Sequence, residues 1–261
     1  MSDSNPKNLG SFFESKPLQG QHALITGGSR GIGAAISNVL AAMGANITLL
    51  ARDVGALKMQ SDHLQAEFDA QVFYASADMT SESDIADSFV QSVKANGPID
   101  ILINNAGVSG NKLPVEGVDE AAFDLMFDVQ VKGAFFATQA VLPGMKARKF
   151  GRIIMISSIY AMGGSFFASH YSGAKAALSG FTKAWAREFA AWKITVNAVA
   201  PGFILTGMTQ GSNTPEMIKA RGESMPLGRL TEPVDISYAV AWLASDEAEV
   251  VTGQVIRPNS G

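Results

Sequence analysis

Apolar residues alternate along the chain between short, dense runs and longer stretches with a helical period. The dense runs are rich in Ile, Leu and Val, which is typical of strands buried on both faces of a parallel sheet. They predict strands at 22–26, 46–51, 71–78 (ending in a loop), 99–104, 151–157, 194–199 and 253–257. The periodic stretches predict helices at 31–43, 119–148, 172–191 and 233–244. Two more are predicted, one that follows the second strand and ends at about residue 69, and one that begins after a cap at Thr80 or Ser81.

This alternation of strand and helix indicates an α/β fold. We expect a single-domain, doubly wound parallel sheet of about seven strands with helices on both faces. Ligands of such sheets bind at the carboxyl ends of the strands. Residues 1–19, which are polar and contain two prolines, are interpreted as a tail or an appended segment, and residues 20–261 as the domain.

The composition narrows the class of protein. With 47% hydrophobic and 17% charged residues, the 261-residue chain can build a core of normal size. A net charge of −4 without any basic run argues against nucleic acid as a partner. The chain lacks cysteine, and we predict no metal site. No apolar run reaches the roughly 18–20 residues of a membrane span and the start is polar, so we expect a cytoplasmic protein without membrane contact.

The stretch TGGSRGIG, residues 26–33, follows the first predicted strand and opens the first predicted helix. In that position Gly27 would permit a tight turn, Gly31 the close approach of backbone to a pyrophosphate, and Gly33 the packing of helix on strand. The helix N-terminus would supply free N–H groups and the positive end of a dipole. The alternative is a tight strand-to-helix turn that binds nothing.

Further motifs follow in a fixed order. NNAG (104–107) closes the fourth strand, Ser158 lies 13 residues before Tyr171, YSGAK (171–175) opens a helix, and APG (200–202) follows the sixth strand. Together they resemble the short-chain dehydrogenase/reductase family over about residues 20–261. MPLGRLTEP and VTGQVI near the end resemble its 3-oxoacyl-(acyl-carrier-protein) reductase branch. The resemblance implies a Rossmann-like, dinucleotide-binding fold.

Tyr171 and Lys175 are four residues apart and so share one helix face. A lysine ammonium beside a phenol is expected to lower the phenol pKa from its ordinary value of about 10. Tyr171 would then donate a proton to a carbonyl oxygen or accept one from an alcohol. The resemblance implies that Ser158 binds the reacting oxygen and that Lys175 also holds the nicotinamide ribose. The alternative is an exposed Tyr–Lys pair of little energetic value.

The second strand ends in LLARD, where Ala51 stands in place of the acidic residue that binds the ribose of NAD. The resemblance implies that Arg30 and Arg52 bind the 2′-phosphate of NADP, a group that arginine forks suit well. The alternative is that Arg52 is solvated; Asp53 is expected to cap the next helix. We therefore expect NADP(H) as cofactor, which favours reduction.

The resemblance implies a larger set of cofactor contacts, although Asp78 could alternatively be only a turn residue. The full set is Gly27, Ser29, Arg30, Gly31, Ile32, Gly33, Arg52, Asp78, Met79, Asn105, Ala106, Gly107, Tyr171, Lys175, Pro201, Gly202, Ile204 and Thr206. A second set predicts an apolar or aromatic substrate pocket, in which His170 either faces the substrate or packs. It comprises Met162, Phe166, Phe167, His170 and Met208.

Gln130 is the fourth predicted catalytic residue, beside Ser158, Tyr171 and Lys175. Many family members carry an asparagine there, which is implied to hold a helix kink and a water of a proton relay; Gln keeps the amide. The ending IRPNSG departs from the acidic, double-glycine ending of the family. The helices near 119–148 and 172–191 carry more apolar residues than one core-facing stripe needs, and with the resemblance they predict a homotetramer.

These features favour an NADPH-dependent reductase of a ketone, with a 3-oxoacyl thioester or another apolar or aromatic ketone as substrate. Two alternatives remain open. One is a non-catalytic dinucleotide-binding module, such as a sensor or an assembly partner. The other is an alcohol dehydrogenase working in the oxidative direction. The complete set of Ser158, Tyr171 and Lys175 favours an enzyme, since a binding module needs no such trio.

Overall fold

A parallel sheet forms the centre of the computed structural model, which describes residues 15–110, 112–204 and 214–261. Within these ranges seven strands lie in the order β3-β2-β1-β4-β5-β6-β7, all parallel. They are β1 (His22–Thr26), β2 (Asn46–Ala51), β3 (Val72–Ser76), β4 (Ile101–Asn104), β5 (Gly151–Ile156), β6 (Ile194–Val199) and β7 (Val255–Ile256). The order reverses between β1 and β4, which opens a crevice at their carboxyl ends.

Helices cover both faces of the sheet. They are α1 (Gly31–Ala42), α2 (Val54–Phe68), α3 (Glu82–Asn96), α4 (Glu120–Phe127), α5 (Gly133–Arg148), α6 (Tyr160–Gly163), α7 (Ser169–Phe189), α8 (Pro215–Glu223) and α9 (Pro233–Ala244). One buried cluster joins α1 and α9 to the sheet, through Ile36 and Ile236 among others. A second joins α3, α5 and α7 to the opposite face, through Phe89, Val141 and Leu178. The predicted doubly wound α/β fold is confirmed.

The predicted helix at 119–148 is interrupted. Between α4 and α5 the residues Asp128–Lys132 form one π-helical turn, which inserts an extra residue into the helical repeat. The continuous apolar pattern gave no sign of this interruption. The short helices α6 and α8 also went unpredicted, because four and nine residues are too few for a clear period.

The described part of the N-terminal segment packs against the sheet domain. Leu18 is fully buried, and its N–H donates to the carbonyl oxygen of Met43 at 3.0 Å. Within the described ranges no helix has both the length and the apolar character that crossing a membrane requires.

Candidate active site

The glycine loop between β1 and α1 is tightly packed. Gly27 has φ +66°, and a Cβ there would lie 2.9 Å from Asn105 Nδ2. A Cβ on Gly33 would overlap the carbonyl oxygen of Gly27. The side chain of Arg30, which precedes α1, makes no capping hydrogen bond, so the N–H groups of the first turn remain available to a ligand. An uncapped helix N-terminus behind a glycine cradle fits the pyrophosphate of a dinucleotide.

The segment after β4 holds this loop in place. Thr26 Oγ1 accepts hydrogen bonds at 3.0 Å from the backbone N–H groups of Asn105 and Ala106. Asn105 Nδ2 donates to the carbonyl oxygens of Thr26 and Gly27 at 2.9 and 3.0 Å. The predicted NNAG and glycine motifs therefore meet at one edge of the sheet. Sequence reasoning missed Thr26, whose only signal was a hydroxyl residue at the end of a buried strand.

The loop after β2 carries the predicted phosphate ligands. Asp53 caps α2, as expected, by accepting the N–H of Ala56 at 3.0 Å. Its other carboxylate oxygen pairs with the Arg30 guanidinium. Arg52 is exposed and forms no ion pair with a described residue. The family resemblance gave no indication of the ion pair between Arg30 and Asp53. This pair engages Arg30, one of the two arginines predicted to bind the 2′-phosphate.

The next loop, after β3, places Asp78 in a turn. Its Oδ1 accepts hydrogen bonds from the backbone N–H and the hydroxyl of Thr80, both at 2.9 Å. These bonds, led by the backbone one, lower the pKa of Asp78. Met79 beside it is buried against Gly133. Asp78 therefore holds the turn after β3, and its contact with a cofactor stays a prediction.

Ser158, Tyr171 and Lys175 come together between the end of β5 and the first turns of α7. Ser158 is buried, and its Oγ accepts the backbone N–H of Tyr160 at 3.2 Å. Lys175 Nζ lies 5.8 Å from the centre of the Tyr171 ring and donates to the carbonyl oxygen of Ile156 at 2.8 Å. The two residues share one face of α7, as their spacing predicted. Lys175 is buried there and Tyr171 is partly buried, so the pair is not an exposed one.

The expected lowering of the Tyr171 pKa is wrong. Burial raises the pKa of the phenol by more than a hydrogen bond with Ser158 lowers it, and the nearby Tyr160 raises it further. Burial also lowers the pKa of Lys175 to about 7. The spacing of the two residues indicated their shared face but not their burial. Burial disfavours the charged form of Lys175, the ammonium that was expected to stabilise the phenolate.

Gln130 lies in the π-helical turn, and its side chain links three segments. Its Nε2 donates to the carbonyl oxygen of Val108 at 3.2 Å and to the sulfur of Met126. Its Oε1 is buried without a hydrogen-bond partner in the described part of the chain. A Cβ on Gly107 would lie 3.2 Å from this oxygen and 3.5 Å from Lys175 Nζ, so both polar atoms border the same small space.

The predicted pocket residues divide into exposed and buried ones. Phe166, Phe167 and Met162 are 91%, 59% and 55% exposed, which leaves a large apolar surface on the segment that leads into α7. His170 is buried, and its Nδ1 has no hydrogen-bond partner among the described residues. Its Nε2 lies 3.1 Å from where a Cβ on Gly110 would be, so it packs under the loop after β4.

Phe167 has φ +56°, a conformation that an aromatic residue rarely adopts. Its carbonyl oxygen accepts the N–H of Leu113 at 2.7 Å, which ties the loops after β4 and β5 together.

The remaining predicted cofactor residues surround the same edge of the sheet. Pro201 and Ile204 are buried after β6, and Gly202 packs against Asn259 of the C-terminal segment so closely that a Cβ would lie 2.8 Å from the Asn259 Cβ. Thr206 and Met208 lie outside the described residues. Ser29, Gly31 and Ile32 belong to the glycine loop and the start of α1. Among the described residues, no cluster of three or more His, Asp or Glu side chains could hold a metal ion.

Comparison with known proteins identifies relatives over nearly the whole chain. The family described as short chain dehydrogenase matches residues 21–217. The 3-oxoacyl-(acyl-carrier-protein) reductase FabG of Vibrio cholerae is 38% identical over 247 residues, covering 94% of this chain and 98% of that protein.

Two solved structures share the fold. Levodione reductase has a TM-score of 0.89 at 29% identity, covering 94% of this chain and 98% of its own. A variant of actinorhodin polyketide ketoreductase, crystallised with NADPH, has a TM-score of 0.88 at 30% identity, covering 92% of this chain and 96% of its own.

Proposed function

We propose that the chain, which belongs to the short chain dehydrogenase family, reduces a ketone with NADPH. The family makes it an oxidoreductase that uses a nicotinamide dinucleotide and acts on the CH–OH/C=O pair. The proposal adds the direction, the cofactor and the residues. It is carried by one observation: a partly buried Tyr171 beside Ser158 and Lys175, at the edge of the sheet where the glycine loop lies.

The protonation state of Tyr171 supports reduction. The phenol, whose ordinary pKa of about 10 is raised further by burial, carries its proton at neutral pH and has it available for a carbonyl oxygen. Ser158 would bind the same oxygen, and Lys175 would hold the cofactor ribose. Gln130 would hold the π-helical turn and border the route of the proton. A bound nicotinamide dinucleotide would supply the hydride. Oxidation of an alcohol would require the phenolate, which this environment disfavours.

NADPH is supported by the two arginines near the dinucleotide cradle. Arg52 is exposed after β2, and Arg30 stands at the uncapped start of α1. Two guanidinium groups suit a 2′-phosphate dianion, and Ala51 offers no carboxylate to a ribose 2′-hydroxyl. The structural neighbour crystallised with NADPH is in line with this choice.

The substrate proposal rests on the exposed apolar surface of Phe166, Phe167 and Met162. Apolar side chains on the segment that leads into α7, the helix of the proton donor, favour a ketone with an acyl or aryl body over a small polar one. The names of the relatives, reductases of 3-oxoacyl-(acyl-carrier-protein) and of a polyketide, describe ketones of this class. We therefore propose a 3-oxoacyl thioester or another apolar or aromatic ketone as the substrate.

The test is NADPH oxidation, followed by absorbance, with an acetoacetyl thioester, an aryl ketone and a small polar ketone. The wild type should turn over the first two faster than the third. Tyr171→Phe should abolish turnover and still bind NADPH in a fluorescence titration, whereas the matched variant Tyr74→Phe, on the outer strand β3, should keep the wild-type rate. A Tyr171→Phe protein that retains most of the activity would overturn the assignment.

We also propose a homotetramer. Phe123, Leu125 and Phe135 on α4 and α5 are each 40% exposed or more, which favours burial against another subunit. A monomer mass by light scattering at micromolar concentration would contradict this.

A further inference from the structure

We infer that Asp53 sets the cofactor preference by occupying the Arg30 guanidinium, which weakens the binding of a 2′-phosphate. This inference rests on the proposed use of NADPH. It assigns a specificity role to a carboxylate that sequence reasoning had interpreted only as a helix cap.

The ion pair lies at an open cavity. Arg30 NH2 contacts Asp53 Oδ2, and the two side chains remain 71% and 50% exposed. Both line a cavity of about 700 Å³ that begins at Ser29 in the glycine loop and extends along α2 to Gln60 and His63. A ligand that enters from the glycine loop therefore meets an Arg30 guanidinium that is already paired with the Asp53 carboxylate.

The Asp53 carboxylate is fixed where it stands. Its Oδ1 is held by the N–H of Ala56 at the start of α2, while Oδ2 contacts Arg30. The hydrogen bond from Ala56, followed by the positive charge of Arg30, lowers the pKa of Asp53, so the carboxylate is ionised at neutral pH. It cannot move away without uncapping the helix.

The consequence differs between the two cofactors. A 2′-phosphate would have to share the Arg30 guanidinium with Asp53 and would lie near a like charge. A 2′-hydroxyl carries no charge and is affected much less. Arg52 forms no ion pair with a described residue, although its charge also acts on Asp78, and it would provide the second positive charge of the site. Asp53 therefore reduces a preference for NADPH that Arg52 and Arg30 create.

The experiment compares adenosine 2′,5′-bisphosphate with adenosine 5′-monophosphate by calorimetry, because the two ligands differ only in the 2′-phosphate. Asp53→Asn keeps the cap, since Asn is an equally good N-cap, but removes the charge. It should tighten the binding of the bisphosphate about fivefold and change the binding of the monophosphate by less than about twofold. The matched control is Asp62→Asn, which removes an exposed carboxylate, paired with Lys58, from the same helix. It should change neither.

The same titrations in Arg30→Ala test the route of the effect. Without the guanidinium, Asp53→Asn should tighten bisphosphate binding by clearly less than in the wild-type background, because only the direct repulsion between carboxylate and phosphate is then relieved. The inference is overturned if Asp53→Asn leaves bisphosphate binding unchanged or weakens it, or if its full effect persists in Arg30→Ala. Failure of the NADPH proposal looks different: the bisphosphate would then bind no more tightly than the monophosphate in the wild type and in Asp53→Asn alike.

Discussion

Lys175→Met is expected to stabilise the ligand-free protein while it abolishes turnover. Lys175 is only 5% exposed within α7, and no carboxylate in the described ranges pairs with it. Among the described residues, its Nζ makes one hydrogen bond, to the carbonyl oxygen of Ile156. Burial lowers the pKa of the group to about 7, from 10.5 in an exposed lysine.

The cost follows from proton linkage. Between the two pKa values the unfolded chain carries a proton on this lysine that the folded protein has lost, so folding is opposed. At pH 8, about 2.5 pH units below the pKa of an exposed lysine, losing this proton costs folding about 3 kcal/mol. Near pH 10 the same cost falls below about 1 kcal/mol. Methionine removes this term but leaves the Ile156 carbonyl without its donor, a loss of about 1–3 kcal/mol that does not depend on pH.

The assay is denaturant unfolding of the wild type and Lys175→Met at pH 8 and pH 10. The difference in unfolding free energy should shift by about 2 kcal/mol in favour of the wild type between the two values. The control is Lys183→Met, which replaces an exposed lysine on the same helix. Its unfolding free energy should differ from that of the wild type by the same amount at pH 8 and pH 10. A difference between Lys175→Met and wild type that stays constant with pH would refute the reasoning, since only the pH-independent terms would then be present.

The other predictions concern the π-helical turn, the glycine loop and a buried histidine. Gln130→Asn should change kcat by at most about tenfold and Gln130→Ala by more, because only an amide can still donate to the Val108 carbonyl; equal kcat values would contradict this. Gly33→Ala should lower Tm and abolish dinucleotide binding in a fluorescence titration, since its Cβ would overlap the Gly27 carbonyl oxygen. Burial lowers the pKa of His22, so below about pH 6.5 the unfolded chain binds a proton that the folded protein excludes, and stability falls. His22→Gln should flatten this acid loss in a plot of Tm against pH.

The architecture could be predicted because it depends on local patterns. Dense runs such as 101–104 and 151–156 are typical of strands buried on both faces of a parallel sheet, and the helical periods between them are typical of crossovers. The positions of the site residues follow from the same rule, because Asn105 comes directly after β4 and Ser158 two residues after β5. The carboxyl ends of adjacent parallel strands then bring them to one edge of the sheet.

The electrostatic state of the site could not be predicted in the same way. The sequence shows that Lys175 and Tyr171 share a helix face, but packing decides that Nζ donates to the Ile156 carbonyl. The pairing of Arg30 with Asp53 depends on how two loops from different strands approach each other. The extra residue in the π-helical turn around Gln130 leaves no mark on hydrophobic periodicity. Each of these depends on tertiary distances of a few ångströms.

The buried ammonium of Lys175 connects the stability of the protein with its proposed activity. An ammonium has three donors, and one of them is used within the described residues, by Ile156. A ligand that brings hydroxyl oxygens to the remaining donors would favour the charged form and raise the pKa of the group. The stability that the fold loses by burying this lysine would then be recovered when the ligand binds. Dinucleotide binding should therefore stabilise the protein more at pH 8 than the contacts alone provide, because binding there also takes up a proton. Replacing Lys175 removes both the loss of stability from its burial and the extra stabilisation by dinucleotide binding.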